Sequence, residues 1–122
     1  MGTLNKNPLA TATALSVLRR LREPEIYDEL EQHGARLEAG LAPFGTVQRV
    51  GAMATLFMRK APVRNLSDAR AANTERYGAL FRHLLERGIY FPPSQFEALF
   101  ISTAHGDEEI ERTVQAVADF DA

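Results

Sequence analysis

The chain has 122 residues, 45% of them hydrophobic and 25% charged, with a formal net charge of −2, which bounds it to one globular domain with a modest core. The lack of a basic surplus argues against a nucleic-acid surface, and the lack of cysteine excludes disulfides, thiolate metal sites and cysteine nucleophiles. No apolar run approaches the length of a membrane span and the start shows no basic-then-apolar leader, so the expected location is the cytoplasm.

Asn7-Pro8 reads as a helix start, because Asn caps free N–H groups and Pro is pre-set for the first helical position. Leu15, Leu18 and Leu21 follow at helical spacing, with small alanines between them, until Pro24 interrupts. A second helix starts near Glu25 with the stripe Ile26, Leu30, Leu37 and Leu41 and ends at Pro43 and Gly45. From Val47 to Arg59 the pattern turns strand-like, with Gly51 at a bend. Ser67 is the expected cap of a third helix over about 67–87, closed by Gly88 in a left-handed conformation. Segments 89–91 and 98–102 read as short strands, and the acidic Asp107-Glu108-Glu109 opens a last helix over about 107–120.

This order predicts an α+β fold: a small, mostly antiparallel sheet with helices on one face, preceded by two helices. The expected division is leading helices over 1–45 and a C-terminal α+β domain over 46–122. The alanine-rich first helix suits close packing against something larger and predicts an apolar surface that draws partners.

Taken singly, the candidate site residues have plain structural readings. Gly2-Thr3 before a capped helix can cradle a phosphate, or be only a loop and a cap. Lys6, between two asparagines, reads as solvated. His33, His83 and His105 have no metal-ligand spacing, so no metal site is expected. Pro93-Ser94-Gln95-Phe96-Glu97 is polar and lies between two strand-like stretches. It reads as a turn, with Glu97 either on its surface or beside a cleft.

Together these segments resemble the glutamate-1-semialdehyde aminomutase family over nearly the whole chain. Gly2-Thr3-Leu4-Asn5-Lys6-Asn7-Pro8-Leu9-Ala10 is similar to the family's G-T-x-x-x-N-P-x-A segment, a pattern shared with many class III aminotransferases. Leu84-Leu85-Glu86-Arg87-Gly88-Ile89-Tyr90 is similar to its L-L-E-x-G-V-Y run. Narrower are Pro93 to Ala98, matching P-S-x-F-E-A, and Ser102 to His105, matching S-x-A-H.

The resemblance implies the C-terminal portion of a dimeric, fold-type-I enzyme that uses pyridoxal 5'-phosphate to turn glutamate 1-semialdehyde into 5-aminolevulinate. It implies that Gly2 and Thr3 reach the cofactor phosphate of the neighbouring subunit and that Glu97 approaches the substrate side of the cofactor. Asn5-Lys6 stands where the family commonly has Ser-Gly, a departure at the phosphate loop. The Schiff-base lysine, the aspartate facing the pyridine nitrogen and the stacking aromatic belong to the family's preceding large domain. The expectation is therefore a chain that binds no cofactor and is inactive alone, completed by a lysine-bearing domain. An independent α+β binding or regulatory module, or the C-terminal domain of another class III aminotransferase, are the competing readings.

Overall fold

A computed structural model describes residues 7–121. The elements are α1 (Pro8–Arg20), α2 (Pro24–Leu41), β1 (Thr46–Val50), β2 (Met53–Phe57), α3 (Leu66–Arg70), α4 (Thr74–Glu86), β3 (Leu99–Phe100) and α5 (Asp107–Ala118), followed by a 3-10 turn over Asp119–Asp121. The sheet order is β1-β2-β3 with both pairings antiparallel. The α+β layer expected from the sequence is the fold observed.

Local chemistry accounts for the element ends. Asn7 caps α1, its Oδ1 accepting the Ala10 N–H at 2.8 Å, and Pro8 sits at the first helical position. Gly51 (φ +56) occupies the first place of the two-residue turn joining Val50 to Met53, where a left-handed residue matches the strand twist. Gly88 (φ +76) follows the last turn of α4. Its N–H donates to Leu85 O and that of Ile89 to Leu84 O, the paired bonds of a Schellman stop.

The core lies on one sheet face. Ala54 and Leu56 of β2 and Leu99 of β3 point inward against Leu37 and Leu41 of α2, Leu80 and Leu84 of α4, and Ile110 and Val117 of α5. Thus α2 shares the core. Arg49 ties it further to the hairpin by bonding Glu31 and Glu38, both at 2.7 Å, and Gly51 O at 2.9 Å. The two carboxylates hold its guanidinium still more firmly charged. By contrast α1 has no buried residue, and Leu9, Val17 and Leu18 are exposed.

The opposite face is covered only at one end, where Phe57 packs with Val63, Ala69 and Ala72. At the other end Val50, Met53 and Phe100 form one cross-strand row, 74%, 45% and 67% exposed.

Four expectations need correction. Residues 89–91 are not a strand, and the strand expected over 98–102 is confined to Leu99–Phe100. Pro92 and Pro93 have no N–H to extend a ladder, and the residues before them pair with no strand. The helix expected over 67–87 is two helices, because Asn73 caps α4 through Arg76 N–H at 2.9 Å while its own N–H donates to Met58 O. The cap of α3 is Asn65, which accepts the Asp68 N–H at 2.9 Å, and Ser67 lies inside the helix.

Candidate active-site cleft

A cleft of about 510 Å³ opens between the 88–101 segment and the start of α5. Leu37, Ile110 and Phe91 form its apolar floor. Glu97, His105 and Arg112 bring polar groups to it, and Tyr90 presents an aromatic ring. Apolar walls with a few convergent polar groups are the ordinary make-up of a small-molecule site.

Glu97 sits in a tight turn. Its N–H donates to Ser94 O at 3.1 Å, and the Phe96 N–H donates to Ser94 Oγ at 3.2 Å. The Thr55 hydroxyl donates to Glu97 O at 3.5 Å, placing the turn beside β2. The side chain of Glu97 is exposed at the cleft rim. Nearby, the Tyr77 hydroxyl donates to Pro92 O at 2.9 Å. Burial, and then the negative charge of Glu97, push the Tyr77 phenol up to about 12.

The S-x-A-H run closes on itself. His105 Nδ1 accepts the Ser102 N–H at 3.0 Å and lies 3.1 Å from Ser102 Oγ. A ring nitrogen that accepts is unprotonated in neutral imidazole, so Nε2 carries the proton. The two narrow motifs singled out in the sequence therefore border one cleft, through Pro93, Glu97 and Ala98 on one side and His105 on the other.

The remaining candidates stand elsewhere. Gly2, Thr3 and Lys6 lie outside the described residues. His83 Nε2 donates to Ala116 O at 2.8 Å and is a structural bond between α4 and α5. His33 is buried, with Nε2 3.4 Å from Asp107 Oδ1. Among the described residues no cluster of three metal-ligating side chains occurs, and no helix is long and apolar enough to cross a membrane. Lys60, the one lysine described, is exposed and donates to Pro43 O, away from the cleft lining.

Sequence reasoning missed Gln95 and the Tyr77 hydroxyl. Gln95 is 1% exposed. A polar residue between Ser94 and Phe96 in a turn gives no periodic signal of burial.

No family model matches the chain. Sequence relatives do. It is 49% identical over 122 residues to a glutamate-1-semialdehyde 2,1-aminomutase of Sorangium cellulosum, covering 94% of this chain and 28% of that protein. It is 47% identical to glutamate-1-semialdehyde 2,1-aminomutase 2 of Brevibacillus brevis, with the same coverage. It is 48% identical over 124 residues to a glutamate-1-semialdehyde 2,1-aminomutase of Thermus thermophilus, covering 95% and 29%. Among solved structures it is similar to an omega-transaminase from Sphaerobacter thermophilus, with a TM-score of 0.80, 26% identity, and coverage of 98% of this chain and 29% of that one. A beta-phenylalanine aminotransferase from Variovorax paradoxus superposes with a TM-score of 0.65 at 27% identity, over 79% and 23%. The chain thus spans less than a third of the length of each of these proteins. It is a sequence relative of the glutamate-1-semialdehyde 2,1-aminomutase family and matches the C-terminal part of its members.

Proposed function

We propose that this chain supplies the C-terminal part of a glutamate-1-semialdehyde 2,1-aminomutase, an isomerase that makes 5-aminolevulinate for tetrapyrrole synthesis. One observation carries the reading: identities of 43–49% to proteins of that name hold over some 94% of the chain. The transaminases found by structure stand at 26% and 27%. They support the second reading, another class III aminotransferase, less strongly.

In this account pyridoxal 5'-phosphate is bound by the intact enzyme, on a lysine-bearing domain outside this sequence, and the assembled enzyme is a cytoplasmic homodimer. The cofactor supplies the electron sink, and this chain's own part is to shape and charge the substrate side. Glu97 presents a carboxylate at the rim of an apolar cleft, where it can hold a substrate ammonium or exchange a proton with it. Gly2 and Thr3 serve the phosphate of the neighbouring subunit's cofactor, the Gly2 backbone through its N–H and Thr3 through its hydroxyl. The Tyr90 ring and the apolar floor of Leu37, Phe91 and Ile110 give the apolar part of a substrate a surface to rest on beside Glu97.

The test is complementation in trans. The purified chain with pyridoxal phosphate and glutamate 1-semialdehyde is expected to make no 5-aminolevulinate. Adding the separately produced upstream part of a relative, such as the Thermus thermophilus enzyme, is expected to restore it. Activity of the chain alone, with borohydride fixing the cofactor to Lys6 or Lys60, would overturn the reading.

A further inference from the structure

The segment carrying Glu97 has no ladder of its own, because only Leu99 and Phe100 pair with β2. What holds it is a knot of three chain segments around Gln95. The Gln95 Oε1 accepts the Met58 N–H at 3.3 Å, just past the end of β2. Its Nε2 donates to Ala72 O at 3.5 Å, between α3 and α4. The knot closes where Asn73 N–H donates to Met58 O at 3.1 Å. A single side-chain amide, with one acceptor and one donor group, thus satisfies a backbone donor and a backbone acceptor that face each other across the interior.

We infer that Gln95 is a positioning residue: it braces the 92–98 segment so that Glu97, two residues on, stands at the cleft. The inference rests on the reading of Glu97 as the substrate-facing carboxylate. Two features favour a brace over a space-filling side chain. Gln95 is among the most completely buried side chains of the molecule, yet an apolar residue of its length would leave Met58 N–H and Ala72 O unpaired in the interior. The segment is tethered a second time, by the Tyr77 hydroxyl on Pro92 O, so both ends of the turn are fixed while Glu97 stays open.

The test uses the 122-residue chain and reads position rather than turnover. Gln95→Met keeps the length and removes both hydrogen bonds. Gln95→Asn keeps the amide but falls a methylene short, and serves if the methionine variant does not fold. Leu84→Ala is the control for general loss of stability. In either Gln95 variant, amide hydrogen exchange at Met58 is expected to quicken at least about tenfold relative to Leu56 and Phe57. The backbone order parameters of Phe96 and Glu97 should fall from the rigid range near about 0.85 toward about 0.6. The control should quicken exchange across the core together and leave 94–98 as ordered as before. A Glu97 segment that stays rigid in both Gln95 variants, with Met58 exchange rising only in step with the core, would overturn the inference. Since no turnover is read, a loosened loop in a protein whose Glu97 proved dispensable would sink the site reading and leave the brace standing.

Discussion

Gly40 lies in the last turn of α2, where the helix meets α5. A Cβ at Gly40 would stand 2.5 and 2.7 Å from the two methyls of Val114 and 3.1 Å from its Cβ. Rotating Val114 does not relieve this, because both methyls are close and a β-branched side chain in a helix has one strongly preferred rotamer. Overpacking of this kind costs about 1–3 kcal/mol. A helical alanine in place of glycine returns up to about 1 kcal/mol. Gly40→Ala should therefore destabilise the chain by a net of roughly 1–2 kcal/mol. Val114→Ala alone removes two partly buried methyls and should cost about 1 kcal/mol. The double variant should be more stable than the sum of the singles by about 1–2 kcal/mol, since the added methyl then occupies vacated space. Urea denaturation of all four proteins at one concentration completes the cycle. Additivity within about 0.5 kcal/mol would mean that α2 and α5 do not touch at this point, and the placement of α2 in the core would fail.

Further expectations follow from the same packing. Leu84→Ala, at a fully buried site in the centre of the core, should lower unfolding stability by about 2–5 kcal/mol in the same assay. Tyr77 has its phenol raised above its unfolded value, so its contribution is complete below about pH 10 and is lost as pH rises toward about 12. Urea midpoints should fall across that window in the wild type, and Tyr77→Phe should remove that part of the slope. Asp68 behaves oppositely: the Arg64 N–H first, and then the Arg64 and Arg59 charges, hold its carboxyl low. Its contribution is present above the usual carboxylate range and lost on acidification, so Asp68→Asn should flatten the acid limb of the stability profile. The exposed α1 leucines should make the chain self-associate, and Leu15→Glu with Leu18→Glu should lower light scattering over a concentration series without changing the melting temperature.

What the sequence reveals is chemistry confined to a few neighbouring residues. Asn7-Pro8 and Gly88 act through bonds within one turn, and Gly51 through its own φ, so each is legible without knowing the fold. The periodic stripe of α2 is legible for the same reason. Residues 89–91 mislead because an apolar run of strand-forming residues says nothing about whether a partner strand is present, and two prolines close off the ladder there. The break between α3 and α4 depends on Asn73 meeting Met58 O, a contact with the segment just past β2, on the far side of α3. Gln95 is hidden in the sequence because its burial comes from three segments brought together only by folding. Glu97 is marked by a motif, whereas its place at the cleft rim is a product of the brace and of Tyr77.

The central claim is that this chain does the work of an aminomutase C-terminal part and that Glu97 carries the substrate side of that work. The most direct measurement joins this chain to the upstream part of the Thermus thermophilus enzyme, in place of that enzyme's own C-terminal part, and follows formation of 5-aminolevulinate with Glu97 and with Glu97→Gln. The account predicts a folded, cofactor-binding chimera that forms 5-aminolevulinate, and a Glu97→Gln variant whose kcat falls by about 10²-fold or more, the range expected for a positioned acid–base group. A folded chimera that binds the cofactor and makes no 5-aminolevulinate, or one indifferent to Glu97→Gln, would contradict it.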